Sequence, residues 1–416
     1  MRAREECAAM ETRPNKSLRG PITAAFRHAE QAYLHATADA APSIDALLAA
    51  HPEFLPAHLL KIAQLVAAKD AAALPALERA LLAALPHEPS AGPRERAHLA
   101  AARAWLARKP LQAAKIYTQL AKDGYGDALA VRLAQSCWYF LGRRMDVRAV
   151  AEHAFRTWSP ERPGFDAVIA MTAFGAAETN DGARAEELAR FSLEIERRSP
   201  FAIHALAHAF AIRNRSADGA RVLRALAADW RVGGRMDGHI GWHLALFELD
   251  AGNADAALAA FDRDQLQAAP LDAGSCADAT DLLWRLELAG VDVGRRWHTL
   301  AAAWKRHLKP AFWSFLDVLA GLALQRAGRR DEACALVHEL VLAPETNGVV
   351  SPVLATVPAL AALDAFGRGA YADASRGLAK ALPRLGGSLP QRELLALTKR
   401  VADECPKERV AVAAAA

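Results

Sequence analysis

Four histidines in two matched pairs are the residues of this chain best suited to chemistry. His204 and His208 are four residues apart, as are His239 and His243, so each pair occupies one face of a helix. The pairs are offset from each other by 35 residues in both members. If that offset is one structural repeat, the two helices are neighbours about 8–10 Å apart, and imidazoles from both reach a common point. Three or four such nitrogens suit a divalent metal ion. Imidazole also exchanges its proton near neutral pH, which suits general acid–base work. A polar ligand pocket and a purely structural, hydrogen-bonded set are the alternatives that the same residues allow. The register decides. His208 lies 12 residues before Ala220, and His243 lies 14 before Ala257, these alanines being the small residues that open the following helices. If the two extra residues sit in the turn, the pairs stack; if they sit in the helix, the faces diverge by about 200°.

Further residues join these only if they share a surface. His58, His98 and Trp138 are spaced by 40 and 40, a pattern that matching places on successive helices would give. With Glu178, Trp242 and the paired histidines they would form a polar and aromatic groove. Asp278 and Asp281 are three apart on a helical stretch; a paired-carboxylate role requires both on that groove. Trp284, Trp297, Trp304 and Trp313 cluster in three consecutive helices, where core packing is the default. Gly386-Gly387-Ser388 follows a helix and reads as its C-terminal stop rather than as a phosphate loop. Neither a nucleophile elbow nor a zinc-protease His-Glu-x-x-His, a Walker loop or a dinucleotide fingerprint occurs.

What must position these side chains is a repeat with a period near 37 residues. Its clearest copies begin Gly252-Asn253-Ala254-Asp255, Gly328-Arg329-Arg330-Asp331 and Gly369-Ala370-Tyr371-Ala372. Each places a glycine between two apolar helical stretches and a small residue five positions on. Followed upstream, the small residue falls at Ala114, Val147, Ala185, Ala220, Ala257, Ala333 and Ala374, at intervals of 33, 38, 35, 37, 76 and 41 residues. The interval of 76 is two repeats with a decayed copy near Val291–Trp297. Closely crossing helices leave room for little more than a methyl group at the contact. The period is close to the tetratricopeptide length of about 34. Ser159-Pro160, Ser199-Pro200 and Ser351-Pro352 mark helix starts, and Phe312, Phe315, Leu316, Leu319, Leu322 and Ala323 form one helical stripe. Strand-type alternation is absent. The expected fold is an all-α, tetratricopeptide-like superhelix of about ten hairpins over residues 21–405, between a flexible 1–20 and a flexible tail 406–416. In such an array the first helix of each hairpin lines the concave wall.

Bulk properties exclude several classes. The 416 residues carry 51 basic and 47 acidic side chains, net +4, with no concentrated basic face of the kind nucleic acid requires. No apolar run approaches membrane-spanning length. Five dispersed cysteines form no Cys-x-x-Cys pair, which points to a reducing compartment and away from a disulfide framework or a cysteine-based zinc site. The charged first twenty residues precede no apolar signal core, and Met10 is a second possible start. A cytoplasmic protein is expected.

Several phrases together resemble the tetratricopeptide repeat protein 38 family: Arg94-Glu95-Arg96-Ala97-His98, Phe174-Gly175-Ala176-Ala177-Glu178, His204-Ala205-Leu206-Ala207-His208, His239-Ile240-Gly241-Trp242-His243, Gly290 through Trp297, and Gly386-Gly387-Ser388 with Gln391-Arg392-Glu393. They follow the family's order over about residues 50–400. The resemblance implies an all-helical superhelix and carries over little biochemistry. Similar proteins tend to be polar where this chain has Ala211, Leu319 and Leu389, so any chemistry those groups serve is lost or changed here.

Two functions are compatible with the residues. One is a repeat protein that holds a peptide, a partner segment or a small ligand in its concave groove. The other is a metal-dependent or histidine-based small-molecule enzyme using His204, His208, His239 and His243, with a divalent metal as its cofactor. Neither involves nucleic acid or a membrane.

Overall fold

The computed structural model describes residues 21–123, 126–265, 271–344, 346, 349–385 and 389–413. In chain order the helices are α1 (Pro21–His35), α2 (Ala40–Ala50), α3 (Leu55–Ala67), α4 (Leu74–Ala84), α5 (Pro93–Leu106), α6 (Pro110–Lys122), α7 (Ala128–Phe140), α8 (Arg144–Thr157), α9 (Phe165–Glu178), α10 (Gly182–Ile195) and α11 (Pro200–Ile212). They continue as α12 (Ser216–Ala225), α13 (Ala227–Trp230), α14 (Met236–Asp250), α15 (Ala254–Ala260), α16 (Ala273–Leu288), α17 (Arg296–Trp304), α18 (Ser314–Arg326), α19 (Arg330–Leu342), α20 (Thr356–Gly367), α21 (Tyr371–Ala381) and α22 (Leu389–Ala413). No strand occurs among the described residues. Helices pack neighbour on neighbour, an arrangement consistent with an α-solenoid. The first 20 residues and Gly386-Gly387-Ser388 lie outside the described residues.

Two kinds of helix alternate. The second helices, such as α10, α12 and α21, bury one stripe and expose the rest. The first helices α9, α11 and α18 are buried on nearly every side, as expected of helices that are apolar all round. The small residues of the repeat all fall early in second helices, and all are buried. Gly252, Gly328 and Gly369 have φ between 70° and 82°, a left-handed turn that favours a residue without Cβ. The decayed copy sits later than even spacing predicts. Helix α17 starts only at Arg296, after a longer turn, and buries Leu300 and Ala301 at the contact.

Two expected helix starts are corrected. Ser199 does cap α11, accepting from the Ala202 amide. Ser159-Pro160, however, lies in a turn, and α9 opens five residues later behind the left-handed Gly164. Ser351-Pro352 opens only a single 3-10 turn, Pro352–Leu354. Phe312 lies just before α18 rather than within it, although it is buried with the rest of its stripe.

The array is not an open trough. Helix α1 packs across the inner helices α3, α7 and α11. It is pinned by His35, whose ring meets Ser199 Oγ and Asp166 Oδ2, both at 2.9 Å. Beyond α17, the loop to α18 reaches back to the N-terminal half. Arg108 donates to the Ala311 carbonyl at 2.6 Å, and Phe312 packs edge-on against Trp105 and Phe140. His307 meets Asp70 at 2.9 Å and the Leu271 carbonyl at 2.8 Å. Both of its nitrogens face acceptors, so the ring is held as an imidazolium. The first helices therefore line a partly open cavity. Among the described residues, no helix is long and apolar enough to cross a membrane.

The hydrogen bond to Asp70 holds the His307 ring above the ordinary histidine range, against the opposing effect of burial. A raised folded-state pKa gives stability that is complete below the unfolded value near 6.5 and is lost as pH rises through the folded value. His307→Ala should therefore cost roughly 1.5–3 kcal/mol at pH 6 and clearly less at pH 9. Urea unfolding at both pH values measures this, and an equal loss at the two would contradict it.

Candidate functional site

The four histidines come together. Helices α11 and α14 are adjacent inner helices, and one nitrogen from each of His204, His208, His239 and His243 lies within 4.8 Å of all the others. His204 Nε2 is 2.8 Å from His208 Nε2 and 3.0 Å from His239 Nε2. The ring of His243 closes the group at 4.7 Å from His208 and 5.3 Å from His204, centroid to centroid.

The register explains the convergence. Both turns are three residues long, so the extra residues sit in the helix: His208 is four residues before the end of α11, and His243 is seven before the end of α14. The true difference is three residues, because Ala220 lies one position deeper in its helix than Ala257 does. Three residues rotate a helix by about 300°, only some 60° short of a full turn. The faces are thus kept, with an axial stagger that interleaves the rings.

The surroundings orient the imidazoles. Asp278 on α16 lies 2.7 Å from His239 Nδ1, which holds the ring with Nε2 aimed at the cluster. Glu178, at the end of α9, stands 3.9 Å from His208 Nδ1. Trp242 stacks on His239 with the planes 16° apart, and Phe174 lies 5.6 Å from both His204 and His208. Burial, reinforced by the other histidines, drives His204 and His243 well below the ordinary range; burial first and His239 second bring His208 to about 3. These three rings are neutral at physiological pH. Neutral rings cannot complete the hydrogen bonding. A single proton on His204 Nε2 serves one of its two Nε2 neighbours and leaves the other unpaired. Among the described residues, His204 Nδ1, His243 Nε2 and both Glu178 oxygens also lack partners. A cation at the focus of the nitrogens satisfies the Nε2 lone pairs together.

His204, His208 and His239 line a cavity of about 380 Å³, with His243 buried behind them. Trp242, Asp278 and Asp281 also face it. Asp281 is paired with Arg285 at 2.6 Å. The groove expected to include His58, His98 and Trp138 does not extend to them. His58 is buried with its Nε2 on the Pro52 carbonyl, His98 is buried on Asp127, and Trp138 donates to Thr118. They lie on α3, α5 and α7, whose starts at residues 55, 93 and 128 are not 40 apart, so the even spacing puts them at different helical positions. Of the tryptophans, Trp284, Trp297 and Trp304 are buried with their ring N–H groups satisfied; Trp313 reaches the cavity.

The cavity also holds Lys69, Arg132 and Arg235, which the sequence reading passed over. The signal for Arg132 was present. It is the only charged residue of helix α7. No protein-family model matches the chain.

Burial, partly opposed by Arg144, raises Glu178 to about 8. A raised carboxyl contributes stability that is complete below its ordinary value near 4.5 and is lost as pH rises toward 8. In chelator-treated protein, Glu178→Gln should melt higher relative to wild type as pH increases from 5 to 9, by on the order of 5 °C. Scanning calorimetry at several pH values checks this; a difference that stays constant with pH would refute it.

Proposed function

We propose that the protein is a small-molecule-binding metalloprotein. His204, His208, His239 and His243 hold one divalent transition-metal ion on the wall of the internal cavity, and the ligand or substrate occupies the cavity beside it. The observation that carries this reading is the convergence of three Nε2 atoms at 2.8 and 3.0 Å that neutral rings cannot satisfy among themselves. An all-imidazole set suits zinc, copper, iron or nickel. The Asp278–His239 contact is the carboxylate–histidine arrangement that fixes a metal-binding tautomer. Four imidazoles would complete a tetrahedral ion, and a coordination number above four would add a position, for which the cavity beside three of the histidines offers room. Water or ligand could take such a position, as catalytic metals require. A volume of about 380 Å³ is in the range of small-molecule sites and favours such a ligand over a peptide.

The scaffold is read as a tetratricopeptide-like superhelix similar to the tetratricopeptide repeat protein 38 family, supported by the turn glycines and the small residues at the hairpin contacts. The free Cys137, Cys276, Cys334 and Cys405 support a cytoplasmic setting.

Elemental analysis of protein purified without chelator should find close to one transition metal per chain in wild type and a large loss in His204→Ala and His239→Ala. Re-adding metal at about 100 times its Kd should stabilise the chelated wild type by roughly 2.7 kcal/mol and leave a variant carrying both His204→Ala and His239→Ala unmoved. Asp278→Asn should retain the metal with about 10–100-fold weaker affinity. Less than about a tenth of a metal per chain, with no thermal shift from zinc, copper, iron(II) or nickel, would end this reading.

A further inference from the structure

The cavity that meets the histidines has a second, oppositely built end. Its carboxylates are all engaged: Asp278 with His239 at 2.7 Å, Asp281 with Arg285 at 2.6 Å, and Asp272 with Arg235 at 3.3 Å. Two of its cations are not. Among the described residues no carboxylate lies within 4.0 Å of Lys69 or Arg132. Lys69 reaches only Ser136 Oγ at 3.3 Å and the face of Tyr139. The Arg132 guanidinium carbon lies over the Phe201 ring, 3.5 Å from its centre. Arg94 and Arg285, the other deeply placed arginines, are each matched by a buried aspartate.

Both side chains are half-buried, and two like charges on one cavity wall without a counter-charge are unfavourable. Burial, with Arg235 adding repulsion to both, lowers Lys69 to about 7 and Arg132 to about 10. An anion supplied from outside removes that cost, and a planar guanidinium beside an ammonium is the donor set that carboxylates and phosphates prefer. The two ends are also close. Phe201, which carries Arg132 on its face, lies 6.0 Å from the ring of His204. The wall between them is aromatic, with Tyr139, Phe174 and Trp313.

We propose that the ligand of this cavity is a small organic anion. Its carboxylate or phosphate sits on Arg132 and Lys69, its apolar body lies against Phe201 and Trp313, and its far end faces the histidine cluster. The inference rests on the small-molecule reading of the cavity but not on the presence of the metal.

The probes are 2-naphthoate, 2-naphthyl phosphate and the neutral 2-naphthamide, titrated into the full-length protein and followed by calorimetry and by quenching of tryptophan fluorescence. At least one of the two anions should bind about tenfold or more tighter than the amide, and the preferred anion identifies the headgroup. Arg132→Gln and Lys69→Met should each abolish that preference while leaving the metal content unchanged; circular dichroism verifies that they fold. Equal binding of anions and amide to wild type would overturn the proposal without recourse to any variant, as would absence of binding by all three. Retention of the full anion preference in folded Arg132→Gln would also overturn it. His204→Ala separates the two readings. Anion binding by a protein that never holds metal removes the metal centre and keeps the anion site; a stoichiometric metal without anion preference does the reverse.

Discussion

Neighbouring inner helices must approach closely enough for side chains one repeat apart to touch, and everything at the site depends on that constraint. The small residues at the hairpin contacts, such as Ala220 and Ala257, are buried where α12 and α15 meet their partners. Little more than a methyl group fits there, so α11 and α14 lie side by side and bring their histidines into contact. Bulkier residues at these contacts would separate the helices and with them the nitrogens. The stabilising core of the hairpins and the chemistry of the cluster are thus consequences of the same packing.

Partial closure changes what the scaffold does with its inner surface. An open array presents a long concave face to a partner. Here α1 crosses that face, and the loop between α17 and α18 returns to Asp70, Arg108 and Phe140. The inner helices then line a partly open cavity. Burial there drives the imidazoles of His204, His208 and His243 to their neutral, ligating form, and it makes Lys69 and Arg132 costly without a counter-ion. The same low-polarity setting prepares lone pairs at one end and positive charge at the other.

Much of this was legible in the sequence, for identifiable reasons. Helical period, turn glycines and small contact residues each report a local requirement, so the hairpins could be read directly. The matched histidine pairs were legible because both members keep the same four-residue spacing. Their mutual orientation was not, since it depends on where α11 and α14 end relative to their turns; the count from Ala220 and Ala257 was off by one residue. The even spacing of His58, His98 and Trp138 misled because the early helices α3, α5 and α7 start at unequal intervals. Closure by His307 and Asp70 joins residues 237 apart, and no local pattern encodes such a contact. Lys69 and Arg132 were missed because two isolated cations gain meaning only when the acids around them are seen to be taken.

The central claim is that the four imidazoles form one cation site. Crystals of protein purified without chelator, measured at wavelengths on either side of the absorption edge of the metal found by elemental analysis, test it most directly. A single anomalous peak among His204, His208, His239 and His243, with nitrogens about 2.0–2.2 Å away, is the predicted result. Crystals soaked in that metal that show no peak between these rings, or show the ion bound elsewhere with the imidazoles still in contact with one another, would contradict it.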